Sequence, residues 1–126
     1  MKVLVADDNR DAADSLGMIL ELNHHEVLVA HTGPDALQLA RDALPQAMIL
    51  DLSMPGITGD QIAREIRREP WGARVLLVAV TGWGRPEDME RASSAGFDHH
   101  LTKPVDVDCV EKLLGEFAAH AGPSAL

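Results

Sequence analysis

Asp7 and Asp8 stand side by side after the apolar run "VLVA", Asp51 closes "AMILD", Thr81 closes "RVLLVAVT", and Lys103 follows "FDHHLT". Each of these side chains lies just beyond a short apolar run. If the runs are strands of one sheet, three carboxylates, a hydroxyl and an amine meet at one edge. Three carboxylates in one cleft make a hard, oxygen-rich well for a small divalent cation. Mg²⁺ is the expected guest, with Mn²⁺ as a substitute, because Mg²⁺ needs few protein carboxylates and keeps several waters. An amine and a hydroxyl facing Asp51 supply what a phosphoryl group on that residue needs: charge neutralisation at its oxygens and a donor that registers its presence. Carboxylates form aspartyl phosphates as nucleophiles, and a cation offsets repulsion between the incoming group and the resident acids. Any one of the five, alone, reads as a helix cap, a turn residue or a solvent-facing amine; their convergence carries the inference. Gly56 and Gly82 leave room at the mouth of such a site, and Pro55 stiffens the loop after the third strand.

The elements that must position these groups are legible in the pattern of apolar residues. "VLVA" at 3–6, "HEVLVA" at 25–30, "AMILD" at 47–51 and "RVLLVAVT" at 74–81 read as strands buried on both faces, and "FDHHLT" holds a short fifth. Between them run helical periods. The first is capped by Asn9 and carries Leu16, Ile19 and Leu20 above Ala12 and Ala13. The second opens near Pro34 and turns Ala36, Leu37, Ala40 and Leu44 inward. Ile62, Ala63 and Ile66 mark the third, Met89 and Ala92 a weaker fourth over 85–95. Val110, Leu113, Leu114 and Phe117 mark a last helix from about Asp106 to Ala118. Alternation of five strands and five helices predicts an α/β fold with a parallel sheet covered on both faces, whose ligands sit beyond the carboxyl ends of the strands. Strand order is not visible in periodicity.

At 126 residues, 46% of them hydrophobic, the chain suits one compact domain, expected over 1–119 with a flexible tail or linker stub at 120–126. Twenty acidic residues against eleven basic ones, with no block of Lys or Arg, argue against binding to nucleic acid or to an anionic membrane. The longest apolar run is far too short to span a bilayer, and residues after Met1-Lys2 lack the composition of a signal peptide, so a cytoplasmic location is expected. Cys109 has no second thiol for a disulfide or a Cys-rich metal site and reads as an ordinary helix residue.

"ADD", "DLSMPGITG", "VAVTGWG" and "LTKPV" resemble the signature blocks of the receiver domain of bacterial two-component response regulators, over residues 2–118. The stretches "EPWG" and "GWGRPEDMERASSAGFDHHLTKPVD" resemble receivers attached to hybrid histidine kinases. The resemblance implies a flavodoxin-like strand order 2-1-3-4-5. It implies that Asp51 is the phosphoacceptor, Asp8 a direct Mg²⁺ ligand, Asp7 a ligand through water and Ser53 a ligand through its backbone carbonyl. Thr81, Gly82 and Lys103 then hold the phosphoryl group, and Pro104 follows the lysine through a cis bond. Ser53 and Trp83 flank access to the acyl phosphate. His100 occupies the switch position on strand five, usually aromatic, which turns toward Thr81. A smaller, titratable imidazole there predicts weaker or pH-sensitive coupling. His99 beside it points the other way, so the pair is not expected to share a metal.

Implied partners are a histidine kinase or histidine phosphotransfer protein as donor, and a downstream protein or a second copy on the surface of helix four, strand five and helix five. The exposed face of the last helix, with Asp108, Cys109, Lys112 and Glu116, is where contact is expected. Catalysis is expected to be limited to self-phosphorylation and self-dephosphorylation. A flavin binder on the same sheet is disfavoured because "DDNRDAAD" after strand one repels a phosphate. A phosphohydrolase with Asp51 as nucleophile would want a second acid where Ser53 stands. A receiver fold used only for interaction or dimerisation is opposed by the presence of all three acids, Thr81 and Lys103.

Overall fold

A computed structural model gives the fold and describes residues 1–121. Strands β1 (Lys2–Ala6), β2 (Glu26–Ala30), β3 (Ala47–Asp51), β4 (Leu76–Thr81) and β5 (His99–Thr102) form one parallel sheet in the order β2-β1-β3-β4-β5. Helices α1 (Arg10–Leu22), α2 (Gly33–Ala43), α3 (Gly59–Arg68), α4 (Pro86–Ala95) and α5 (Val107–Ala121) alternate with the strands, and a 3-10 turn (Pro70–Arg74) precedes β4. The period of two along each strand divides the core. Leu4, Met48, Leu50 and Leu77 pack with Leu37, Ile62 and Ile66 of α2 and α3, whereas Val5, Ile49, Val78 and Val80 pack with Leu16, Leu20, Val110 and Leu114 of α1 and α5. β3 and β4 are buried along their whole length, which is why their sequences are unbroken apolar runs. Among the described residues no helix is long and apolar enough to cross a membrane.

Several sequence expectations are corrected by packing. Ala12 and Ile19 are exposed, and the covered face of α1 is Ala13, Leu16, Gly17 and Leu20. The helix rolls toward Gly17, where an added Cβ would stand 2.9 Å from a Val29 methyl, so α1 lies close against β2 and Ile19 turns outward. Leu44 caps α2 in the left-handed conformation, with φ 51°, and is exposed. Pro45 follows it, and a residue before proline does not continue a helix. Met89 is exposed because α4 covers the core only with Ala92 and Ala95. Residues 74 and 75 precede β4, Arg74 ending the 3-10 turn. The last helix begins at Val107 and extends to Ala121, so residues 120 and 121 of the expected tail are helical. The remainder of that tail, 122–126, lies outside the described residues.

One cation ties the α3 side of the fold together. Arg67 donates to the carbonyls of Gly96 (2.8 and 3.0 Å), Gly72 (2.9 Å) and Val75 (2.7 Å), and pairs with Asp98 at 2.9 Å. Gly96, with φ 101°, is the left-handed cap that ends α4, so the guanidinium fills a carbonyl at the end of that helix and ties it to the segment before β4.

Candidate functional site: an acidic cleft at the strand tips

The sheet ladders continue one residue past the strands, and this aims the site. Asp7 N–H donates to Ala30 O (3.2 Å), Leu52 N–H to Val80 O (2.9 Å) and Lys103 N–H to Thr81 O (2.8 Å). Asp7, Asp51, Thr81 and Lys103 are thereby held by backbone bonds between neighbouring strands. The Lys103–Pro104 peptide is cis. α3 starts directly against the end of β3: a Cβ at Gly59 would lie 2.3 Å from the Asp51 carbonyl oxygen, so only glycine fits. Gly56 and Gly82 have open space around them. Gly56 is also favoured by its φ of 79°.

Lys103 Nζ lies 3.1 Å from Asp7 Oδ2 and 3.2 Å from Asp51 Oδ2. The second oxygen of each acid accepts a backbone N–H two residues on: Asn9 to Asp7 Oδ1 and Ser53 to Asp51 Oδ1, both at 3.0 Å. Carboxylate oxygens of Asp7, Asp8 and Asp51 lie within 4.8 Å of one another, Asp7 and Asp51 buried and Asp8 exposed. Two anchored acids and one open to solvent form a donor set that suits a hydrated hard cation. Thr81 is buried, and its hydroxyl makes a long hydrogen bond, 3.5 Å, to Asp88 Oδ2 in the first turn of α4.

Burial and the neighbouring Asp7 carboxylate push Asp51 above the ordinary carboxylate range, against the Ser53 N–H and Lys103, which pull it down. Burial also works to raise Asp7, but the Asn9 N–H, Asp51 and Lys103 together bring it below that range. A proton entering the pair on acidification therefore goes to Asp51. For Lys103 the cost of burial is outweighed by the two carboxylates, which raise its pKa.

Two expected residues stand apart from this cluster. Trp83 is 74% exposed, with the Arg85 guanidinium 5.0 Å from its ring centre. His100 pairs with Ala79 across β4–β5 and is partly buried, and its Nε2 is buried with no hydrogen-bond partner. His99 is exposed. On α5, Asp108, Cys109, Lys112 and Glu116 are exposed as expected, but the large exposed apolar side chains lie elsewhere: Met18 and Leu22 on α1, Trp83 and Met89 around the start of α4. A cleft of about 520 Å³ runs from Asp7, Asp51 and Lys103 between Leu16 and Ile19 of α1 and Pro104 and Val107.

Sequence reasoning missed four residues that touch the site's frame. His31 places Nδ1 3.3 Å from the Asp7 carbonyl and Nε2 3.2 Å from Asp14. Asp88 receives the Thr81 hydroxyl, and Arg91 and Asp60 pair at 3.0 Å beside the Leu52 carbonyl. Asp60 alone left a signal, an acid in the first turn of a strongly amphipathic helix that turns out to be buried.

Comparison with known proteins fits this geometry. A family model described as "Response regulator receiver domain" matches residues 3–114. The chain belongs to that family. Protein PilH of Pseudomonas aeruginosa is 30% identical to this receiver over 118 residues, covering 94% of the chain and 98% of PilH. The virulence sensor protein BvgS of Bordetella pertussis is 33% identical over 126 residues, 96% of the chain but 10% of BvgS. Chemotaxis protein CheY4 of Vibrio cholerae superimposes with a TM-score of 0.86 at 26% identity, covering 92% of this chain and 97% of that one. The receiver is thus a phosphoacceptor signalling domain, and receivers of this family interact with histidine kinases or phosphotransfer proteins.

Proposed function

We propose that Asp51 is the residue that takes the phosphoryl group, from the phosphohistidine of a kinase or phosphotransfer protein, with Mg²⁺ held by Asp8, Asp51 and the Ser53 carbonyl and, through water, by Asp7. The observation that carries the reading is Lys103 Nζ lying 3.2 Å from Asp51, the most deeply buried of the three carboxylates at the strand tips. An Asp51 oxygen forms the new O–P bond as the P–N bond breaks, its electron pair leaving with the imidazole. Bound Mg²⁺ would neutralise charge on the transferring oxygens and lessen their repulsion by the acids. Lys103 turns from Asp7 to a phosphoryl oxygen, and Thr81 gives its hydroxyl hydrogen to another, with Gly82 beside it. The apolar cleft beside Lys103, walled on α1 by Leu16 and the exposed Ile19, offers a donor helix an apolar seat next to the acids. The domain works in a bacterial cytoplasm, without nucleic acid or membrane, and its only catalysis is on its own acyl phosphate. Ser53 and Trp83 border the route of the hydrolytic water.

Incubation of the protein with Mg²⁺ (or Mn²⁺) and phosphoramidate, read by intact mass, is expected to add one phosphoryl group that hydroxylamine removes, as befits an acyl phosphate. A chain that stays unmodified after Mg²⁺ is shown to bind overturns the reading. Decay of the modified species in Trp83→Ala measures the gating role: an unchanged rate removes it.

The output surface is that of α4, β5 and α5, offered to a downstream protein or a second copy, and His100 couples it to Asp51. An inward turn of this partly buried imidazole, whose Nε2 has no partner, gains less from burial than a phenol ring. Phosphorylation-induced chemical shifts on α4 and α5 are expected to be larger in His100→Tyr than in the parent. Identical responses in the two proteins count against His100 as the switch.

A further inference from the structure

Arg91 of α4 reaches the segment that follows Asp51. Arg91 Nη2 donates to the Leu52 backbone carbonyl at 2.7 Å. It is also 3.0 Å from Oδ1 of Asp60 in the first turn of α3, an ionic contact whose angle falls short of a hydrogen bond. Asp60 is 8% exposed. Burial works to raise its pKa, yet contacts with the Thr58 side chain and Arg91 hold it below the ordinary carboxylate range, so it is the anion that orients the guanidinium. Arg91 Nε is buried without a partner, so the two Nη2 contacts hold the side chain at the expense of a third donor.

The carbonyl that Arg91 grips belongs to the same peptide unit as the Ser53 N–H. That N–H donates to Asp51 Oδ1 at 3.0 Å. Amide resonance links the two ends of the unit: a cation at the oxygen draws density from nitrogen and makes the N–H a stronger donor. The same bond fixes the plane of the peptide and so the direction in which the Asp51 carboxylate is held. The next carbonyl along is that of Ser53, so this plane also bears on how that oxygen faces the acids.

We propose that Arg91, oriented by Asp60, is a positioning residue for the phosphoacceptor, polarising and aligning the Leu52–Ser53 peptide that holds the Asp51 carboxylate. The proposal rests on the reading of Asp51 as the phosphoacceptor and adds a route by which α4 acts on it. Because coupling is reciprocal, a partner that displaces α4 loosens Arg91 and alters Asp51, and a change at Asp51 alters α4 by the same free energy.

The test compares the parent with Arg91→Gln, with Arg91→Gln/Asp60→Asn, which removes the acid left unpaired by the first change, and with Arg91→Lys. Thermal unfolding establishes that each variant folds. In the unphosphorylated protein without metal, the Ser53 amide proton is expected to move upfield in both Gln variants and back toward the parent in Arg91→Lys. The Leu52 amide, bonded to Val80 O, is expected to stay in place. Phosphorylation by phosphoramidate at saturating Mg²⁺ is expected to slow about fivefold to tenfold in the double variant, because the Ser53 hydrogen bond to Asp51 is weakened but not lost, and to recover partly with Lys. A folded double variant whose Ser53 amide does not move, or moves no more than that of Leu52, overturns the proposal, as does an unchanged rate. A parent that accepts no phosphoryl group overturns the reading of Asp51 instead, and the Ser53 shift then decides the relay alone.

Discussion

Asp51→Asn is expected to abolish phosphoryl uptake and, at neutral pH, to make the protein more stable. The nucleophilic oxygen is gone, so intact mass after phosphoramidate and Mg²⁺ stays at the starting value; gain of a phosphoryl group by the variant sinks Asp51 as acceptor. The stability gain follows from the site's electrostatics. Asp51 is 3% exposed, and burial together with Asp7 raises its pKa in the folded state. The folded chain therefore binds that proton more tightly than the unfolded chain, and ionising Asp51 costs stability. This cost is absent below the unfolded carboxylate value and complete above the raised folded one. An amide keeps the Ser53 N–H as a donor to its oxygen while removing the charge, so a gain of about 1 kcal/mol, or about 3 °C in Tm, is expected near pH 7 and should vanish on acidification. Asp7 runs the other way: its lowered pKa contributes stability above the unfolded carboxylate value that is lost as pH falls. Mg²⁺ should raise Tm of the parent by mass action and do so less in the variant.

Lys103→Met should produce the opposite stability change and nearly as large a functional one. It removes the cation 3.1 and 3.2 Å from two buried carboxylates and leaves them facing each other. Breaking a buried pair costs about 3–5 kcal/mol; because the Lys103 side chain is about a third exposed, solvent screens part of this, and about 2 kcal/mol at pH 7 is expected. The raised pKa of Lys103 means that its contribution is complete below the unfolded lysine value and fades only in strong alkali, so the parent shows no loss from this group at neutral pH. In the variant, Asp51 rises further without its cation, and stability returns as pH falls through that value. Mg²⁺ should also restore it. Phosphoryl uptake should fall about 10²- to 10³-fold, the usual result of deleting one preorganised donor to a developing oxyanion. Equal Tm profiles for parent and variant across acid and neutral pH contradict this account. The two substitutions should not add: in an Asp51→Asn background Lys103→Met loses most of its cost, since only one buried carboxylate remains to be paired.

Which parts of the receiver were legible before folding depends on how local each signal is. Strand and helix runs are local. Fully buried strands such as Met48–Leu50 and Leu77–Val80 must be apolar on both faces, and Asn9 caps α1 because its side chain reaches the Ala12 N–H three residues on. The acids, Thr81 and Lys103 were visible for the same reason, as polar residues at the ends of apolar runs, although strand order and the finer roles, such as which acid meets the metal directly, came from resemblance to the receiver family.

Inward faces were less secure. Ile19, Leu44 and Met89 lie in helical periods, but a period does not say how wide the covered stripe is, and the close seat at Gly17, the proline after Leu44 and the small residues of α4 narrowed it.

By itself, then, the chain's order of residues determined an alternating α/β domain with a cation-seeking acidic edge, because periodicity, capping and strand-end placement act over a few residues. The tertiary structure alone decided the long-range contacts: Arg91 on the Leu52 carbonyl and His31 on the Asp7 carbonyl at that edge, Arg67 on the Gly96 carbonyl and Glu111 on His25 at the other end of the strands. These partners stand 24 to 86 positions apart in sequence. A long polar side chain carries no local mark of which distant carbonyl or charge the fold will bring within its reach.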